Sequence, residues 1–219
     1  MFDLNRYTAA LRAQLLRRFG DRLRYMGLQG SYLRGEATGQ SDIDVMVLLR
    51  DMTVRDLEDY RAALEEVGDA DRACGFICGA AEMACWNPLE SCQLLHTTRD
   101  LYGRLADFVP AWTPEDERNY IKLSLGNLFH ELCHRYVHGD RVAIAAALPQ
   151  LCKSAFFILQ NMEYQRSGVF AATKSALLER LAGVDRAVLE LAMGPGDRPD
   201  FDRSFDLLYT WCQKALTEA

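Results

Sequence analysis

The stretch Gly30-Ser31-Tyr32-Leu33-Arg34-Gly35-Glu36-Ala37-Thr38-Gly39-Gln40-Ser41-Asp42-Ile43-Asp44-Val45-Met46-Val47-Leu48-Leu49 decides how the rest of the chain is read. From Ile43 onward it is apolar except for Asp44, the density of a strand buried on both faces. Before it, Arg22 to Leu28 alternates enough to be a strand, so Gln29 to Gln40 is expected to be a polar, glycine-bearing loop between two strands. Further upstream, Leu4, Tyr7, Leu11, Leu15 and Phe19 recur at helical spacing and Gly20 ends the run, which predicts an amphipathic helix over 4–19. Downstream, Thr53 reads as an N-cap, with Leu57, Tyr60, Leu64 and Val67 on one stripe and Gly68 as the stop. Arg72 to Cys78 is a third strand candidate, reached through that helix and therefore parallel to the second. The order α-β-loop-β-α-β is an α/β pattern. Between 79 and 110 no element is assigned.

After Pro110 the character changes. Thr113-Pro114-Glu115-Asp116 combines a capping hydroxyl, proline at the first helical position and acids in the first turn. A long helix should run from there to His138. Asp140 opens another, expected to be perturbed near Pro149 and to continue through Phe156, Phe157, Leu159 and Met162 to Gly168. Thr173, Asp185 and Asp202 mark three further starts. The expected fold class is therefore α+β/α: an N-terminal α/β domain with a short mixed sheet over 1–110, then a C-terminal helical bundle over 111–219.

The chemistry concentrates in the opening stretch. Gly30 and Ser31, directly after a strand, let backbone approach a ligand closely and offer N–H and hydroxyl donors that suit phosphate oxygens. Arg34 adds a planar donor fork. Asp42 and Asp44 are two apart at the entry of a strand, so both carboxylates project from one face. Side by side they repel and gain nothing from packing. A hard cation reverses that, because Mg²⁺ takes one or two protein carboxylates together with phosphate oxygens. A phosphate-approaching turn facing such a pair is the apparatus of phosphoryl or nucleotidyl transfer.

Gly-Ser, ten residues, then Asp-x-Asp with apolar flanks resembles the signature of the DNA polymerase β-like nucleotidyltransferase superfamily. Within it, the chain is similar to small bacterial aminoglycoside adenylyltransferases, which pair a minimal nucleotidyltransferase domain with a helical domain. The motif match covers Leu28 to Leu49; the match in element order extends over the chain. The resemblance implies that Gly30 and Ser31 hold the terminal phosphates of a nucleotide, with Arg34 and Ser41 beside them. It implies that Asp42 and Asp44 bind Mg²⁺ and serve catalysis. ATP would be the substrate, AMP the transferred group, and a hydroxyl the acceptor. The family usually places a third acid on the next strand, and Arg72 to Cys78 has none inside it. Asp71, just before that strand and at the end where Asp42 lies, is the best candidate for a third catalytic carboxylate. Asp69 and Glu82 are poorer ones. If nothing fills the role, the alternative is a nucleotide-binding or regulatory module that does not transfer.

A third reading centres on His130-Glu131-Leu132-Cys133-His134, the HExxH pattern of zinc hydrolases, with His138 four residues on. Imidazoles at i, i+4 and i+8 of one helix span about 12 Å, too long to close on one ion. Composition narrows the partners. The formal charge is −6, and residues 1–26 carry six arginines against Asp3 and Asp21, so the remainder is strongly acidic. Nucleic acid is disfavoured as a partner, and a cationic small-molecule acceptor such as an aminoglycoside is favoured, with protein hydroxyls next. Seven cysteines without paired spacing read as reduced thiols, and the start MFDLNRYTAALRAQ has no apolar signal region, which together predict a cytoplasmic protein. No stretch is expected to serve as a membrane helix. The apolar bundle faces leave room for a homodimer.

Overall fold

The computed structural model describes residues 2–194 and 200–219 and divides into two compact units, Met1–Trp112 and Thr113–Ala219. The first contains α1 (Leu4–Phe19), β1 (Leu23–Leu28), α2 (Gly30–Arg34), β2 (Ile43–Leu49), α3 (Val54–Val67), β3 (Ala73–Gly79), α4 (Ala80–Ala84), α5 (Pro88–Thr97) and β4 (Arg99–Tyr102). Its sheet has the order β3-β2-β1-β4. β2 runs antiparallel to β1 and parallel to β3, and β4 is antiparallel to β1 on the far edge. The sheet is thus short and mixed, as expected.

Side-chain parity sorts β2 onto two cores. Ile43, Val45, Val47 and Leu49 join Tyr7, Leu11, Leu15 and Phe19 of α1 and Ala63 of α3 on one face. Met46 and Leu48 join Tyr25, Met83 and Leu105 on the other. Burial on both faces is why β2 tolerates so few polar residues. Asp44 is the exception, and it lies where the strand begins.

Three departures from expectation follow simple physics. The loop after β1 is not all loop: residues 30–34 form the short helix α2. Leu57 is 42% exposed, and the buried side of α3 is carried by Ala63 with Asp56, while Tyr60, Leu64 and Val67 pack at its margin. β4 is only four residues, half polar and on an edge, so it lacks the alternation that marks a strand. α5, by contrast, has a legible start: Asn87 caps it, accepting from the Leu89 N–H at 3.1 Å, and Pro88 takes the first turn.

Asp56 ties this unit together. It completes a capping box with Thr53 at the start of α3, and it accepts two hydrogen bonds from the Arg22 guanidinium at 2.7 and 3.0 Å. Arg22 also donates to the carbonyls of Arg50 and Asp51, so one side chain fastens the starts of β1 and α3 to the end of β2. The Arg22 hydrogen bond, against the opposing effect of burial, lowers the Asp56 carboxyl from 3.8 to about 2. Because the folded state holds the proton more weakly than the unfolded chain, the contribution of this pair is complete above pH ~4 and is lost as pH falls toward 2. Asp56→Ala removes a cap and leaves a cation half-buried, and should lower unfolding free energy by about 2–4 kcal/mol. Denaturant titration at pH 7 and pH 3 checks both statements: the deficit of the variant must shrink at the lower pH.

The second unit contains α6 (Pro114–His138), α7 (Arg141–Ser167), α8 (Lys174–Leu178), α9 (Gly183–Ala192) and α10 (Phe201–Glu218). Thr113 and Asp116 form the capping box of α6. α7 continues through Pro149 without a break in its helix assignment. α9 is capped by Ala182 and α10 by Asp200, so Asp185 and Asp202 stand inside first turns rather than as caps. α7 also corrects the expectation about membrane helices: at 27 residues, with a window of mean hydropathy 1.8, it is long and apolar enough to cross a bilayer. In this fold its apolar residues are used internally. Ile144, Leu151, Phe156, Ile158 and Leu159 pack in one core with α6, α9 and α10. It also buries polar groups that make specific bonds. Gln160 donates to the Ala171 carbonyl at 2.6 Å. Glu163 pairs with Arg166 and with Arg180 at 2.9 Å; burial pushes its carboxyl up, but the two guanidiniums outweigh that and hold it below its ordinary value. None of the seven cysteines forms a disulfide.

Candidate active site

β1 hands the chain to α2 at Gln29, whose N–H donates to the Asp44 carbonyl at 2.9 Å and so continues the β1–β2 ladder by one step. The next residue, Gly30, has φ +69°. A Cβ placed there would overlap the Asp44 carboxylate. The missing side chain is therefore what lets Asp44 lie directly over the turn that leaves β1. Asp42 is exposed at the mouth of β2 and Asp44, one step inside, is half-buried. Within β2, strand parity puts Asp44 on the Met46 side of the sheet.

The loop between α2 and β2 is held by its own polar groups. The Ser31 carbonyl accepts from the N–H of Glu36 at 2.9 Å, and Arg34 Nε donates to Glu36 Oε2 at 2.8 Å. Ser41 Oγ accepts from the Thr38 N–H at 2.8 Å, so its hydroxyl closes the turn that delivers Asp42. Arg72, which sequence reasoning passed over, is the outer brace. It donates to the Ser41 carbonyl at 3.1 Å and to the Tyr32 hydroxyl, and it stacks over the Phe2 ring at 4.6 Å. Its own carbonyl receives the Ile43 N–H at 2.8 Å. No pattern in the sequence announces such a residue.

Gly30 and Asp44 thus meet at one end of the sheet, with Ser31 beside the turn, Asp42 at the mouth of β2, Arg34 at the end of α2 and Ser41 in the loop that follows. Asp71 is at the same end, exposed in the turn before β3. Among the described residues, no three His, Cys, Asp or Glu side chains form a group able to hold a metal ion. Asp69 is paired with Arg72 at 3.8 Å. Glu82 lies past the far end of β3, a strand length of roughly 20 Å from Asp44. The residue beside Asp44 in the parallel register is Cys74. One acid that the sequence did not single out, Asp100 of β4, pairs across β1 with Gly27. It accepts from the Tyr25 hydroxyl at 2.7 Å and from the Leu105 N–H at 3.2 Å. Burial and that hydrogen bond together push the Tyr25 phenol far up, so Tyr25 is a fixed donor and Asp100 an anchor of the edge strand.

The donor set fits a hard divalent cation in one respect: two carboxylates at the entrance of β2, with open backbone beside Asp44 at Gly30, are what Mg²⁺ needs from protein when phosphate oxygens supply the rest. In the second unit, His130 and His134 of the HExxH stretch are exposed on α6 while Leu132 between them is buried in the core. Glu131 is paired with Arg135 at 2.6 Å, so the carboxylate that a zinc hydrolase would use as base is already engaged.

Comparison with known proteins agrees with this geometry. Residues 11–76, from within α1 into β3, match the family model described as nucleotidyltransferase domain. The crystal structure of spectinomycin adenyltransferase AAD(9) from Enterococcus faecialis, solved with ATP and spectinomycin, is similar at TM-score 0.60. It is 13% identical in sequence, and the alignment covers 98% of this chain and 100% of that one. A toxin–antitoxin structure with AMP-PNP aligns at 22% identity over 61% of this chain and 96% of that one, but its TM-score of 0.32 is too low to bear on the fold. No curated protein matches the sequence.

Proposed function

We propose that this chain, an enzyme by its nucleotidyltransferase domain over residues 11–76, transfers AMP from ATP to a hydroxyl of a small-molecule acceptor. The observation that carries the proposal is the close approach of the Asp44 carboxylate to the side-chain-free turn at Gly30, with Asp42 two residues earlier at the entrance of β2. Two carboxylates repel a bare polyphosphate, so the nucleotide must arrive with its charge compensated. When bound, Mg²⁺ would supply that compensation and stabilise the charge that builds on the phosphoryl oxygens. The chain's own part is to hold and orient. Asp42 and Asp44 would be its ligands, Gly30 and Ser31 would leave room and donors for phosphate oxygens, and Arg72 and Ser41 fix the loop so that these groups need not reorganise.

For the acceptor we propose a cationic, hydroxyl-rich small molecule. The acidic balance of the chain beyond its first helix favours a cation, and the structurally similar AAD(9) was solved with spectinomycin. A protein hydroxyl is the competing acceptor. A second reading, nucleotide binding without transfer, is favoured by one observation: the residue that the register places beside Asp44 on β3 is Cys74, not a carboxylate. Incubation with α-labelled NTPs and Mg²⁺, against a panel of aminocyclitols and aminoglycosides and against cell extract, separates these. Label on a small molecule supports the proposal, label on protein moves the acceptor class, and nucleotide bound but never covalently attached overturns transfer.

A further inference from the structure

The helix α6 carries His130, His134 and His138 at successive i, i+4 positions, all three exposed. Among the described residues, no hydrogen bond or ion pair engages these imidazoles, and their ring contacts are with each other. The ring centres of His134 and His138 are 4.9 Å apart, and those of His130 and His134 are 5.8 Å apart. With metal–nitrogen bonds of about 2.0–2.1 Å, two imidazoles at neighbouring positions of a tetrahedral or square ion place their ring centres roughly 4.5–5.2 Å apart. The second pair satisfies that separation and the first does not.

We infer that His134 and His138 form a two-imidazole chelate for a borderline divalent transition metal such as Ni²⁺, Cu²⁺ or Zn²⁺. Four points support it. Imidazole is the ligand these ions prefer over the carboxylates that suit Mg²⁺, so this site and the Asp42–Asp44 pair select different metals. A single rigid helix sets the spacing, so little ordering is needed on binding. Both side chains are open to solvent, so the ion has an entry path and keeps its remaining positions for water or another donor. Finally, among the described residues no third protein ligand converges, and Glu131 is held by Arg135, which makes this a chelate and not a hydrolytic centre.

Titrating the purified, untagged full chain with Ni²⁺ in excess Mg²⁺, followed by calorimetry, tests the inference. One ion per chain is expected. His134→Gln and His138→Gln should each weaken binding at least tenfold, and His130→Gln less than threefold. All three positions are exposed, so the variants should keep the wild-type circular dichroism spectrum and thermal midpoint. Equal affinity in wild type and His134→Gln would place any bound metal elsewhere, for example on the exposed Cys74 or Cys85, and overturn the inference. His130→Gln proving as damaging as His138→Gln would overturn the choice of pair.

Discussion

Asp42→Asn should lower Mg²⁺-dependent release of pyrophosphate from ATP by about 10³-fold while leaving the fold intact, the scale seen when one preorganised electrostatic group is lost from a transition state. The fold is spared because Asp42 is exposed, precedes β2, and makes no bond on which the sheet depends. Asparagine keeps the shape and removes the charge. The substitution therefore acts on the one property that distinguishes a cation-binding pair from a polar strand entrance. The loss should appear mainly in kcat, since charge on the phosphoryl oxygens is larger in the transition state than in bound ATP. Turnover that is unchanged in the variant, measured by coupled pyrophosphate assay, removes Asp42 from the machinery and with it the main support for transfer at this site.

How much of this was legible before the structure depends on how local each signal is. The bounds of α1 and α3 follow from periodicity closed by a glycine, those of β2 from a run of apolar residues and the start of α6 from its cap, and these signals act within a few residues. The side of the sheet that Asp44 takes follows from strand parity alone. Arg72 and Asp100 could not be read the same way. Arg72 matters because β3 returns beside β2 and brings its guanidinium to the Ser41 carbonyl, a contact 31 residues apart in sequence. Asp100 matters because β4 closes the far edge, where four half-polar residues pair with β1. Leu57 misled for the complementary reason: a stripe of apolar residues marks a helix face, but the packing partner decides how far round the helix burial extends, and here Ala63 takes the centre. The third acid is another matter. It was expected from resemblance, and the register puts Cys74 beside Asp44 where a carboxylate on the next strand would stand.

Gly30→Ala should reduce activity at least a hundredfold, and the reason can be isolated because the same loop contains its own control. Two effects are combined at Gly30. Its backbone has φ +69°, a region that costs an L-residue about 1–2 kcal/mol, and its Cβ would overlap the Asp44 carboxylate. Gly35, five residues on, has φ +70° and nothing within 4 Å of a built Cβ. Gly35→Ala therefore carries the backbone strain without the contact. Both variants should lose about 1–2 kcal/mol of stability in denaturant titration, which a domain of this size tolerates. Only Gly30→Ala should also lose turnover, because the carboxylate must swing away from its position, and a displacement of about 1 Å in a positioned catalytic group is enough for a hundredfold effect. Steady-state kinetics on the pair decides it. If the two variants lose activity equally, backbone conformation in the loop controls the rate and the close approach of Asp44 to the turn does not. If Gly30→Ala alone fails, the space left by one absent methyl group holds the site in register.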